Sequence, residues 1–84
     1  MYYLNKESEI INLTKETIVR IIINESEVPP KFSVDMDGAD GEFTIESFKS
    51  KDEAKIFTKW LMLCLEHPFM LHNDFLNCLE EGNK

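Results

Sequence analysis

Four side chains with metal-ligand chemistry fall in one short stretch: Cys64, His67, His72 and Cys78, in the pattern C-x2-H-x4-H-x5-C. Thiolate and imidazole are the usual zinc donors, but structural zinc modules hold them at tighter, turn-bounded spacings. No glycine-rich knuckle lies between these four. Cys64 and Cys78 each fall on the apolar side of a helical repeat, where cysteine packs as a small hydrophobe. A disulfide between them would require two helices facing each other within a narrow geometry. The segment is therefore read as helix packing, and neither metal nor cofactor is assigned. The two histidines flank the bend between helices, and no G-x-S-x-G, P-loop or G-x-G-x-x-G motif occurs. The expectation is a protein that carries out no catalysis.

The second candidate is "VDMDGADGEF", Val34 to Phe43. An EF-hand loop takes acids at positions 1, 3 and 5, glycine at 6 and glutamate at 12. Counted from Asp35, positions 1, 3 and 12 fit, but Ala39 and Asp40 stand at positions 5 and 6, and Gly41 comes one residue late. A hairpin turn explains every residue instead, since Asp-Gly occurs twice and glycine tolerates positive φ. The same region holds five acids and no base between Phe32 and Phe48: Asp35, Asp37, Asp40, Glu42 and Glu46. Like charges across strands are mildly destabilising. An acidic ridge is expected there, suited to docking a basic partner.

The elements that must position these residues divide into two halves, 1–48 for strands and 50–82 for helices, within one domain spanning 1–84. Tyr2–Leu4, Glu9–Leu13 and the β-branched "TIVRIII" (Thr17–Ile23) read as strands. Pro29 and Pro30 break the pattern. "KFSVDMD" and "EFTIESF" alternate as a hairpin, with Phe32, Val34, Met36, Phe43 and Ile45 inward. Glu42, Thr44 and Glu46 then point outward. Ile18 and Ile22 fall opposite Val19, Ile21 and Ile23, so both faces of that strand call for cover.

Ser50 and Glu53 form an S-x-x-E capping box that starts a helix over 51–66. Its apolar residues, from Ala54 to Leu65 and including Trp60, span roughly 200°, wider than one sheet needs. Met62 falls among the lysines on the far side. Pro68 ends straight continuation, and a shorter helix over 68–81 follows with Gly82 as its stop. The fold class is thus α+β: an antiparallel sheet of four to five strands, a long helix packed on one face, and a short C-terminal helix.

Sixteen acids against nine bases give a formal net charge of −7. No basic footprint exists for direct contact with nucleic acid or an anionic membrane. The longest apolar run, Trp60–Leu65, is too short to span a bilayer. Two cysteines and an N-terminus without a basic, apolar leader suggest a reducing, cytoplasmic setting. These features suggest a small acidic interaction module. It would be an inhibitor or modulator, of the immunity or antitoxin kind carried by phages and mobile elements, that masks a basic surface on a target such as a nucleic-acid-binding protein. The alternative is an assembly protein that forms a homodimer through a second apolar face. Ile18, Ile22, Trp60, Met62, Phe69 and Met70 are the apolar candidates for such contacts.

Overall fold

The computed structural model describes residues 1–14, 17–38 and 41–82. The chain runs β1 (Tyr2–Leu4), β2 (Ile10–Asn12), β3 (Val19–Asn24), β4 (Lys31–Gly38), β5 (Gly41–Phe48), α1 (Lys51–Leu63), β6 (Phe69–Leu71) and α2 (His72–Gly82). The architecture is α+β. The strands form two three-stranded sheets, ordered β2-β1-β6 and β3-β4-β5, instead of one sheet of four to five. β1 pairs antiparallel with β2 and parallel with β6. The second sheet is antiparallel throughout.

The capping expectation for α1 is met on the Ser50 side, whose Oγ accepts the Glu53 N–H at 3.1 Å. The helix stops at Leu63, short of Glu66, because the chain tightens there. Cys64 N–H bonds the carbonyls of both Trp60 and Leu61, and His67 N–H turns back to Cys64 O at 2.9 Å. The helix expected from Pro68 starts four residues later. Phe69–Leu71 are extended because β1 supplies a parallel partner. At the α2 start, Asp74 Oδ2 accepts the Leu71 N–H at 2.7 Å, a carboxylate reaching back to the residue ahead of the helix.

Burial on α1 follows Ala54, Phe57, Trp60 and Leu61, continued by Cys64. This stripe is narrower than the apolar arc of the sequence, since Ile56 and Leu63 are exposed. Around Phe57 the rings of Tyr3, Phe48 and Phe75 stand 5.5, 5.2 and 5.0 Å away, centroid to centroid. These separations are favourable for tilted and edge-on aromatic pairs. The core therefore draws on both sheets and both helices.

One irregularity decides where the acids of β5 go. The β4–β5 register slips between Val34 and Asp35: Val34 faces Glu46, Asp35 faces Thr44, and Ile45 is the extra residue. Ile45 and Glu46 are both buried in consequence. Glu42 and Thr44 are exposed as expected, but Phe43, expected inward, is 40% exposed, and beyond Thr44 the bulge turns Glu46 inward.

Candidate functional site

β1 ends at Leu4, and the turn that follows is organised by buried Asn5. Its Oδ1 accepts the N–H groups of Glu7 and Glu9 at 3.0 and 2.9 Å, and its Nδ2 donates to Ile45 O at 2.8 Å. Asn5 thereby seats the β1–β2 hairpin on the bulge of β5 and satisfies a carbonyl at the irregularity. The next residue extends the contact, with Lys6 N–H donating to Glu46 Oε1 at 3.3 Å.

The Glu46 side chain is fully buried, a placement that costs free energy unless the carboxylate is well bonded. The Tyr3 hydroxyl donates to Oε2 at 2.7 Å. His72, the first residue of α2, places Nδ1 against the same Oε2 and 3.2 Å from the Tyr3 oxygen. The Tyr3 proton is committed to Glu46, so its oxygen accepts and Nδ1 carries the hydrogen. Burial, and next the bond to Glu46 and its charge, push the Tyr3 hydroxyl far above the ordinary tyrosine range, with a smaller push from Asp74. Tyr3, Glu46 and His72 thus tie β1, β5 and α2 together.

His72 is the partly exposed member, and it lines a cleft of about 440 Å³ with Lys6, Lys49, Phe48, Phe75 and Leu76. Lys6 is held beside this cleft: its amine donates to Ser47 O and lies 5.4 Å from the Phe48 ring centre.

The acids expected to form a ridge are not brought together. Glu46 lies in the core, because the bulge reverses its face. Asp35 lies on the outward side of β4, but it is buried and accepts from Thr44 Oγ1 at 2.9 Å. Asp37 and Glu42 remain at the surface, where Arg20 of β3 bonds both. The sequence stretch between Phe32 and Phe48 contains no base, and the neighbouring strand supplies one. Asp40 lies outside the described residues.

The cysteine–histidine stretch is dispersed too. Cys64 is buried, Cys78 is exposed and both are free thiols; burial pushes the Cys64 thiol up. His67 sits on the exposed turn after α1, whereas His72 belongs to the Glu46 cluster. Among the described residues no group of three or more His, Cys, Asp or Glu side chains is placed to hold a metal ion.

Of the apolar candidates, Trp60 is in the core and Met70 packs against it. Phe69 lies on the outward face of the small sheet with Tyr2, Ile10 and Leu71, all exposed. Ile18, 60% exposed, and the half-buried Ile22 lie with Arg20 on the outer face of the larger sheet. Met62 lines a groove of about 540 Å³ between α1 and β3, with Ile21, Leu63, Lys55, Lys59 and Thr58.

The outer edge of β3 adjoins this groove. Asp37 N–H bonds Ile18 O at 3.1 Å. In an antiparallel ladder every second residue bonds the same neighbour, so Arg20, Ile22 and Asn24 turn their backbone groups to β4. Val19, Ile21 and Ile23 therefore aim theirs away, and among the described residues no strand pairs with that edge. The β-branched run Thr17–Ile23 reads as a strand in the sequence, but its place at an edge is not legible there. Tyr3, Asn5 and Lys6 also went unrecognised as site residues; the only local signal was the polar "NKES" turn.

No helix among the described residues is long and apolar enough to cross a membrane. Comparison with protein-family models, with curated proteins and with solved structures finds no match.

Proposed function

We propose that this chain is a small, non-catalytic protein–protein interaction module, an inhibitor or modulator that covers a basic surface of a partner protein. The supporting observation is its unneutralised exterior. Glu7, Glu25, Asp52, Glu53, Glu66 and Glu80 are exposed and have no ion-pair partner among the described residues. With a net charge of −7, such a surface accelerates encounter with positively charged proteins and repels polyanions. The test is capture of a partner from source-cell lysate at low and high salt, followed by association kinetics with the triple variant Glu7→Lys, Glu25→Lys and Glu66→Lys. Binding that weakens with salt, and association slowed about tenfold or more in the variant, support the reading. A partner that binds equally well at high salt and to the variant overturns it.

A second reading is self-association, favoured by the free edge of β3. Two copies of this strand fit antiparallel with Ile21 opposite Ile21 and Val19 opposite Ile23. That register sets the outward-aimed backbone groups of one copy against those of the other, as an isologous two-fold contact requires. β3 carries no acid, so this edge escapes the repulsion that the rest of a strongly negative chain would meet from its own copy.

A further inference from the structure

We infer that the cleft beside His72 is a binding site for a small organic monoanion with an apolar body, such as an aromatic carboxylate. The site goes beyond the macromolecular contacts proposed above.

The cleft, about 440 Å³, has the size of a small-ligand site. Its floor is apolar, formed by Phe48 and Phe75 of the buried aromatic cluster, with Leu76 and Leu79 of α2 beside them. Three of the chain's nine basic residues, Lys6, Lys31 and Lys49, reach its wall. In a molecule of net charge −7 these three lysines outnumber the two glutamates, Glu7 and Glu53, on the same wall and lower the repulsion an anion meets there. Lys49 has no ion-pair partner among the described residues, whereas Lys31 pairs with Glu27 at 3.8 Å. These two lysines also border an adjoining hollow of about 320 Å³ under Val28 and Pro29. Lys49 is thus the cation best placed to take up a new charge.

His72 makes the site directional. Glu46 and Tyr3 occupy its Nδ1 and fix the ring plane from behind. Nε2 is left as the ring nitrogen available to the cleft, in an orientation set before any ligand arrives. Glu7 and Glu53 stand on the same wall. They oppose an extended polyanion and leave room for a single negative group between Lys49 and His72. The ligand's apolar body would rest on Phe48 and Phe75.

The test is titration of ¹⁵N-labelled full chain with benzoate at millimolar concentration, read by amide chemical shifts. Benzyl alcohol supplies the ring without the charge, and acetate the charge without the ring. The expected result is saturable shifts centred on Phe48, Lys49, His72 and Phe75. Affinity should fall about tenfold for either control and for Lys49→Ala, the effect of one lost charge-assisted bond. Leu76→Ser should weaken benzoate and leave acetate unchanged. Lys49 and Leu76 are exposed, so both variants keep the fold, and matching spectra away from the cleft check this. Shifts that do not saturate, shifts that map elsewhere, equal binding of benzyl alcohol, or undiminished affinity in Lys49→Ala would each overturn the assignment.

Discussion

The Tyr3 hydroxyl donates to Oε2 of Glu46 at 2.7 Å across 43 positions of sequence, inside the core and against His72. A buried carboxylate depends on such donors, because water cannot replace them. The pair therefore joins the N-terminal strand to the bulged strand β5 and ties the stability of both to one proton.

That proton gives a pH prediction. The Tyr3 hydroxyl is held protonated far above its ordinary value of 10.0. The unfolded chain releases the proton above that value while the folded chain keeps it. The associated stability is complete below pH 10.0 and is lost as pH rises beyond it. Urea denaturation followed by Trp60 fluorescence should show a falling midpoint on the alkaline side. Tyr3→Phe should flatten this fall, and at neutral pH it should cost about 1–3 kcal/mol by depriving Glu46 of a donor. An unchanged alkaline slope in Tyr3→Phe would remove the proton from the account.

Arg20 offers the opposite case. It bonds Asp37 and Glu42 at the surface, with about half of its side chain exposed. Arg20→Ala should cost less than about 1 kcal/mol, and the loss should shrink as salt is added. Chemical denaturation at two ionic strengths measures both. A large, salt-independent loss would mean that Arg20 acts by packing its stem against Ile18 and Ile22.

The cap of α1 is a separate, local contribution. Ser50→Ala removes the oxygen that accepts the Glu53 N–H and should destabilise by about 1 kcal/mol. Ser50→Asp should restore most of the loss, measured by thermal or urea unfolding.

The edge of β3 can be blocked without cutting its ladder. The Ile23 N–H points away from β4, so Ile23→Pro leaves the β3–β4 bonds intact and removes an outward donor. If copies associate through this edge, light scattering should show a concentration-dependent dimer for the natural chain and a monomer for Ile23→Pro. A monomer at every concentration for both would exclude self-pairing.

Local signals were legible in the sequence wherever one element determines its own structure. Six of the seven residues Thr17–Ile23 are β-branched, and β3 occupies the end of that run. The Asp-Gly turns marked the β4–β5 hairpin, and Ser50 marked the first turn of α1. What escaped depends on distant partners. Phe69–Leu71 follow Pro68 in a helix-like pattern, and only pairing with β1 makes them extended. The bulge at Ile45 escaped as well, because strict alternation from Glu42 to Glu46 gives no hint of an extra residue. That single slip moved Glu46 from the expected ridge to the core and left the Tyr3–Glu46–His72 cluster invisible to periodicity. Arg20 was read as a strand residue, and only the β3–β4 pairing brings it to Asp37.

The parallel pairing of Tyr2–Leu4 with Phe69–Leu71 sets an order of assembly. A chain emerging from the ribosome exposes β1 long before its parallel neighbour β6. Until then Tyr3 and Ile11 have no completed sheet behind them and no Phe75 in front. Local hairpins such as β4–β5 can close early, whereas the layer holding β1 waits on a far longer loop closure. The layer built around β1 thus stays open in the nascent chain until β6 has been made.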